Sequence, residues 1–161
     1  MAIRYSYPIN LHEAPEGGYS VTFPDLDEAF TDGDSFAEAI SEAADCLEEA
    51  LAGRIVRRDD IPAPSPAKGR PTAVPGATLA AKIALYEALR QERLSISAFA
   101  VSMGVPENEV HKLLDPAHAT KIGRLEEALA RFGKRLVVSV EEVVSPSSVP
   151  NGWYSMSRQA S

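Results

Sequence analysis

The sequence predicts an α+β protein made of two small folded parts. In residues 1–60, alternating apolar residues are followed by one amphipathic helical pattern, which predicts a β-β-β-α domain. Residues 61–77 contain five prolines, which remove backbone donors, and they are predicted to form a semi-extended linker. Residues 78–144 carry several helical patterns and then a Val-rich alternating segment, which predicts a helical domain that ends in a β-strand.

The β-β-β part is predicted from two clear strands and one short one. Ile3–Leu11 is rich in β-forming residues, and Pro8 within it favours an edge position or a bulge. In residues 19–23, a Tyr, a Val and a Phe share one face of a second strand. A third, short strand is predicted over Glu28–Thr31, with Asp32-Gly33 as the turn that follows it.

The helix of the first domain has a clear beginning and end in the sequence. Ser35 and Glu38 form a capping-box pattern, and the apolar residues between Phe36 and Leu51 recur at helical spacing. Gly53 is predicted to end the helix. Cys46, the only cysteine, is interpreted as a small core residue. A single cysteine cannot form a disulfide framework, which favours a reducing cytoplasm.

Acidic residues concentrate between the second strand and the helix. Residues 1–66 carry four Arg against fourteen Asp and Glu, a net charge of −10, whereas the rest of the chain carries twelve basic and nine acidic residues, a net charge of +3. A metal-dependent nuclease would need carboxylates that converge from several elements, and these lie mostly in one loop. An acidic surface that faces a basic partner is favoured. The candidate partner-binding residues are Asp25, Asp27, Glu28, Asp32 and Asp34.

The C-terminal domain contains the pattern of a helix-turn-helix. A preceding helix is predicted to begin with Thr78 as its cap. Within the motif, Ala100 is the small residue where two helices cross, Gly104 lies in the turn, and Pro106 fits the first turn of the second helix. The apolar positions are filled by Phe99, Met103, Val105, Val110 and Leu113.

The exposed face of the second helix of this motif is the candidate DNA-binding surface. Asn, Glu and Lys side chains can pair with base edges, and a hydroxyl or a basic group nearby can contact phosphate. The alternative is an ordinary solvated helix face, which the two glutamates favour. The candidate residues are Ser97, Glu107, Asn108, Glu109, His111, Lys112, Lys121 and Arg124.

A last helix is predicted to stop at Gly133, and a β-strand is predicted after it. A lone strand leaves its edges unpaired, so pairing with the same strand of a second chain is expected. The resulting homodimer, or a tetramer formed as a dimer of dimers, would suit a palindromic operator. Residues 145–161 are interpreted as a tail. The candidate dimerisation residues are Leu136, Val137, Val138 and Val140.

Two motifs, in this order, resemble those of HicB-type antitoxins. The first is FPDL at 23–26, then TDGDS at 31–35 and Glu38-Ala39; the second is KIALYEA at 82–88, LLDPAH at 113–118 and GKRLVVSV at 133–140. In this family the FPDL motif is usually followed by Pro-Gly-Cys, whereas this chain has Asp27-Glu28-Ala29 after Leu26. The resemblance implies a truncated ribonuclease-H-like domain without catalysis, which binds and blocks HicA, a small basic RNA-cleaving toxin. It also implies a C-terminal helix-turn-helix domain.

The leading hypothesis is an antitoxin that neutralises a HicA-type mRNA-cleaving toxin and represses its own operon by binding operator DNA. It is expected to be cytoplasmic and homo-oligomeric, not an enzyme, with no cofactor, no metal and no membrane association. The alternative is a free-standing transcription repressor whose N-terminal domain senses a small ligand. That hypothesis requires an apolar pocket with convergent polar groups, and the sequence marks none.

Overall fold

The structure is a computed structural model, and it describes residues 2–142. These residues form a mixed α and β architecture, which confirms the predicted α+β class. The expected tail at 145–161 and the last residues of the expected C-terminal strand, 143–144, lie outside the described residues. The elements are β1 Tyr7–Pro8, β2 Asn10–Glu13, β3 Tyr19–Phe23, β4 Leu26–Gly33, α1 Phe36–Arg57, β5 Thr72–Ala73, α2 Ala77–Gln91, α3 Ile96–Met103, α4 Glu107–Leu114 and α5 Ile122–Ala130.

The described residues divide into two compact units. The first unit comprises the described residues up to Ala50, together with Pro62–Pro75 and residues 141–142. The second unit comprises Leu51–Ile61 and Gly76–Val140. Most of the proline-rich segment therefore groups with the first unit.

A three-stranded antiparallel sheet, in the order β2-β3-β4, forms the centre of the first unit. Leu11 pairs with Val21, which pairs with Thr31, and the register shifts between Thr22 and Phe23. Val21 and Phe23 are buried and Tyr19 is half-buried on one face, as their alternation predicts.

Two of the predicted strand boundaries are wrong. The first strand is interrupted at Ile9, because Tyr7–Pro8 pairs antiparallel with Thr72–Ala73 whereas the chain from Asn10 onward pairs with β3. The third strand is longer than predicted, and Asp32-Gly33 is not a turn. Asp32 pairs with Ser20 and Gly33 with Tyr19, so cross-strand pairing outweighs the local turn preference of these residues.

The proline-rich segment makes specific contacts within the first unit, unlike a free spacer. The Ile9 N–H donates to the Pro71 carbonyl at 2.9 Å. The Tyr7 hydroxyl donates to the Pro62 carbonyl at 2.8 Å. Proline lacks a donor but keeps its acceptor, so a segment rich in proline can still bind a strand through its carbonyls.

Helix α1 begins as predicted but ends later. The Glu38 N–H donates to Ser35 Oγ at 3.2 Å, and the Glu38 carboxylate accepts from the Asp34 N–H at 2.9 Å, which confirms the capping box. The helix continues through Gly53 to Arg57. A glycine inside a helix costs about 1 kcal/mol, and burial of Leu51 and of a further isoleucine one turn on outweighs that cost.

The second unit has a core built from all four of its later helices. Its buried residues include Leu85 of α2, Phe99 of α3, Val110 of α4 and Leu125 of α5. The N-cap residue of α2 is Gly76, which lies two positions before the predicted cap, Thr78. Helix α5 ends at Ala130, three residues before the predicted stop, and the turn that follows it ends at Gly133, whose φ is 66°. Residues 134–142 form neither a helix nor a strand within this single chain.

Candidate partner-binding and DNA-binding surfaces

The acidic residues of β4 lie on the outer face of the three-stranded sheet. From Glu28 to Asp32 the strand alternates, so that Glu28, Phe30 and Asp32 are exposed whereas Ala29 is buried. Phe30 lies opposite Thr22 of β3. The structure therefore brings two carboxylates and one aromatic ring to one face of an edge strand.

Phe30 is a candidate site residue that the sequence reasoning missed. Its side chain is 71% exposed, although large aromatic residues are usually well covered. The sequence did contain a signal for it. In a strand, residues two apart lie on the same face, so Phe30 shares the outer face with Glu28 and Asp32. An exposed aromatic residue surrounded by charge is typical of an interface anchor.

Asp25 behaves differently from the other predicted acidic residues. It is half-buried in the turn before β4, and its carboxylate accepts from the Ser65 N–H at 2.9 Å and from the Ser65 hydroxyl. Asp27 and Asp34 are exposed, as the sequence predicts for a partner-binding surface. Asp25 therefore attaches the proline-rich segment to the sheet, and the other four acids remain open to solvent.

The metal-dependent nuclease considered from the sequence would need several side chains that converge on one metal ion. Within residues 2–142, no group of three His, Cys, Asp or Glu side chains could hold a metal ion. Cys46 is half-buried, and its thiol donates to the Phe30 carbonyl at 3.5 Å. Burial, and then the nearby Glu49 carboxylate, raise the pKa of this thiol, which makes it a poor nucleophile. In the same part of the chain, no helix is both long and apolar enough to cross a membrane.

Helices α3 and α4 are two short helices joined by a tight turn. Ser95 caps α3 by accepting from the Ala98 N–H at 3.1 Å. Gly104 ends α3 in the left-handed region, with φ 67° and ψ 33°. Pro106 is the N-cap of α4, one position before the first turn that the sequence predicted for it. The small residue predicted at the crossing, Ala100, is buried.

Several of the candidate DNA-binding side chains are paired with each other. Lys112 donates to the Glu109 carboxylate at 3.0 Å, and this hydrogen bond and the Lys112 charge lower the pKa of Glu109. Ser97 donates to the Glu107 carboxylate. Asn108 and His111 are exposed on α4. These two pairs would have to separate before their four side chains could contact DNA.

Two further candidates lie at the start of α5. Lys121 is the N-cap residue of this helix and is exposed. Arg124 is half-buried and donates to the Glu127 carboxylate at 2.8 Å. Both residues follow the segment that connects α4 to α5, so their positions depend on how that segment is held.

Lys82 of α2 is a second residue that the sequence reasoning missed. Its side chain is 1% exposed, and its ammonium donates to oxygens of the segment from Lys112 to Thr120. A lysine within an amphipathic helix is normally expected on the solvated face. Its burial is explained by acceptor oxygens that lie 30 or more residues later in the sequence and that the fold brings next to its ammonium.

An apolar groove of about 620 Å³ also lies within the second unit. Its lining includes the apolar or aromatic residues Tyr86, Leu89 and Leu94 and the basic residues Arg58 and Arg93. Tyr86 donates its hydroxyl to the Asp59 carbonyl at 2.7 Å. This volume is in the range of small-molecule sites.

The candidate dimerisation residues divide into two groups. Leu136 is half-buried and packs against the helical core of the second unit. Val137, Val138 and Val140 are exposed by 71%, 65% and 97%. Within residues 134–142, these three valines form an apolar surface that the other described residues do not cover.

Comparison with known proteins gives one consistent result. Residues 6–88 match a sequence family described as HicB-like antitoxin of bacterial toxin–antitoxin systems. The chain is 37% identical over 132 residues to Antitoxin HicB of Escherichia coli K12, which covers 81% of this chain and 95% of that protein. It is 35% identical over 135 residues to Antitoxin HicB 1 of Photorhabdus laumondii, covering 84% and 86%. Antitoxin HicB of Pseudomonas fluorescens is 32% identical over 143 residues, covering 87% and 97%.

Proposed function

Because the chain belongs to the HicB-like antitoxin family of bacterial toxin–antitoxin systems, we propose that it neutralises a small HicA-type mRNA-cleaving toxin and represses its own operon. The first unit binds the toxin and the second binds operator DNA. The protein acts in the cytoplasm by binding alone, without a cofactor or catalysis. The observation that carries this proposal is the exposed acidic strand β4, on a chain of this family.

The toxin-binding surface is the outer face of β4. Phe30 is the apolar anchor, and Glu28 and Asp32 on either side of it supply negative charge. A protein that binds RNA presents basic side chains, so complementary charge speeds the encounter and favours this partner over acidic ones. Asp27 and Asp34 extend the acidic surface, whereas Asp25 supports it through Ser65.

The first test is to identify the partner. The tagged chain is purified from its own host at low salt, and the proteins that remain bound are identified by mass spectrometry. We expect one small basic protein in near-stoichiometric amount, which is lost at high salt because screening weakens exposed charge pairs. A chain that purifies alone would contradict the antitoxin proposal.

Phe30→Ala is expected to weaken toxin binding by about 2 kcal/mol, roughly thirtyfold in Kd, because an exposed aromatic anchor loses its contact area. Val74→Ala is the matched control, since Val74 is an exposed apolar residue of the same unit that lies outside β4. Calorimetric titration with the identified toxin measures both variants. Equal affinities for Phe30→Ala and Val74→Ala would remove Phe30 from the interface.

The first unit is assigned to a truncated ribonuclease-H-like domain, and α3-turn-α4 to a helix-turn-helix. The strand-strand-strand-helix order and the left-handed Gly104 between two short helices support these assignments. In this proposal, Asn108 and His111 of α4 contact base edges in the major groove. Lys112 exchanges its ion pair with Glu109 for a contact with DNA. The functional division is a toxin-binding domain at 1–60, a connecting segment at 61–77 and a DNA-binding domain at 78–144.

Residues 134–140 join two chains into a homodimer. Val137, Val138 and Val140 are exposed in the single chain, and pairing this segment with its copy would cover them. Two copies of α4 are then available for the two halves of a palindromic operator. Dimers can pair further into a tetramer.

A ligand-sensing repressor is the second candidate function, and the groove of the second unit is the observation that favours it. The groove has the volume of a small-molecule site. It lies in the second unit, whereas this hypothesis assigns ligand sensing to the N-terminal domain. The partner purification separates the two candidates, since a ligand-sensing repressor has no need of a stoichiometric protein partner.

A further inference from the structure

Lys82 is a charged side chain held almost entirely out of water. It lies in the middle of α2 and is 1% exposed. An ammonium has three donors and no acceptor, so burial is tolerable only where oxygen atoms surround it. Burial lowers the pKa of Lys82, and the nearby Asp115 carboxylate acts in the opposite direction.

Four oxygens surround the Lys82 ammonium. Three are main-chain carbonyls, those of Lys112 at 3.1 Å, Asp115 at 2.6 Å and His118 at 2.8 Å. The fourth is the Thr120 hydroxyl oxygen at 2.8 Å. All four acceptors come from one stretch of nine residues, and each is at hydrogen-bond distance.

The Lys112 carbonyl belongs to the last turn of α4 and the others to the segment that follows it. The last carbonyls of a helix have no partner within the helix, and the negative end of the helix dipole favours a cation there. Lys82 supplies that cation from another helix. The ammonium therefore fixes both the end of α4 and the path of the chain toward α5.

Both ends of this segment carry candidate DNA contacts. Asn108 and His111 lie on α4 before it, and Lys121 and Arg124 lie at the start of α5 after it. Base reading and phosphate contact require these side chains to keep a fixed separation, because a binding site that is loosely held loses its selectivity.

We propose that Lys82 is a positioning residue for operator recognition, which sets α4 and the phosphate-contacting start of α5 at the separation that specific DNA requires. This inference rests on the proposed DNA-binding function of the second unit. It also relates two of the sequence motifs, since the lysine of KIALYEA holds the main chain of LLDPAH.

The test compares specific with non-specific binding in the full-length chain with Lys82→Met. The probes are a duplex from the region upstream of its own operon and a shuffled duplex of equal length, titrated by fluorescence anisotropy at one salt concentration. We expect operator affinity to fall by about tenfold or more, the scale of a lost base-pair contact, while affinity for the shuffled duplex changes less than about twofold. Toxin binding should be unchanged.

Lys68→Met is the matched control, because Lys68 is an exposed lysine of the first unit and its loss changes the net charge equally. It should keep the wild-type ratio of operator to shuffled affinity. A role limited to stability would instead reduce both affinities in proportion to the folded fraction, as measured by circular dichroism at the same temperature.

Thr120→Val decides the question if Lys82→Met does not fold. This nearly isosteric change removes one of the four acceptors and keeps the ammonium, so a smaller loss of operator affinity in the same direction is expected. If Thr120→Val, or a folded Lys82→Met, keeps the wild-type ratio of operator to shuffled-duplex affinity, the inference about Lys82 is overturned and the proposed DNA-binding function still stands. If the wild-type chain binds both duplexes equally, the proposed DNA-binding function falls, and the inference with it.

Discussion

Gly33 occupies a position in β4 where no side chain fits. A Cβ atom there would lie 2.5 Å from the backbone nitrogen of Ala39 and 2.8 Å from its Cα. Both are main-chain atoms of α1, so they cannot rotate away as a flexible side chain could. The close approach of helix and strand in the first unit therefore depends on this glycine.

Gly33→Ala is expected to destabilise the protein by about 2 kcal/mol or more, because overpacking against backbone forces α1 away from the sheet. Urea unfolding followed by circular dichroism measures the change. Ser41→Ala, on the exposed face of α1, is the control and should stay within about 0.5 kcal/mol of wild type. A Gly33→Ala variant as stable as this control would show that the helix can shift at no cost.

Single residues also show where sequence reasoning reaches its limit. The acidic residues of β4 could be found from composition and spacing, because they are close together in the linear sequence. The burial of Lys82 could not, since its acceptors lie about 30 residues further along the chain. Asp25 was assigned to the partner-binding surface, and its contact with Ser65 joins residues 40 positions apart.

At the scale of elements, local signals worked best where the structure depends on neighbouring residues. The capping box of α1 and the glycine between α3 and α4 both lie where the pattern predicts. The predicted end of α1 and the predicted extent of β4 are wrong, because burial of Ile55 beyond Gly53 and pairing of Asp32 with Ser20 are tertiary effects. The path of the proline-rich segment also depends on tertiary contacts, since Thr72–Ala73 pairs with β1 and the Pro71 carbonyl accepts from the Ile9 N–H.

The same substitution, glycine to alanine, is expected to have opposite effects on stability in the turn after α3 and within α5. The two variants are Gly104→Ala and Gly123→Ala. Gly104 has φ 67°, so a side chain there costs about 1 kcal/mol even though no atom lies within 4 Å of the new Cβ. Gly123 lies inside α5, also with open space, so alanine there should stabilise the protein by up to about 1 kcal/mol. Urea midpoints measure both variants. Shifts of the same sign would contradict a left-handed turn at Gly104.

At the scale of the whole molecule, charge is divided along the chain according to the proposed partners. Residues 1–66 carry four basic and fourteen acidic residues, and the remainder carries twelve basic and nine acidic residues. Under the proposed function, the acidic N-terminal part would attract a basic toxin and repel nucleic acid, so DNA binding would fall to the C-terminal part. This division was visible in the sequence before any element was assigned.

Val138→Lys combined with Val140→Lys is expected to convert the protein to a monomer, because charged side chains oppose each other in a self-paired strand. Light scattering measures the mass of the full-length chain. Val56→Lys is the control, since Val56 is 71% exposed in the second unit and lies outside residues 134–140. A double variant with the mass of the control would place the dimer contact elsewhere.

The alternation of β4 has an evolutionary consequence. Its inward positions, such as Ala29, are committed to folding, whereas Glu28, Phe30 and Asp32 take no part in the core. Under the proposed function, mutations at these outward positions can change which toxin is recognised at little cost in stability. Duplicated gene pairs in one genome could then drift apart in partner choice while their antitoxins keep one architecture, so that each antitoxin remains insulated from the other's toxin.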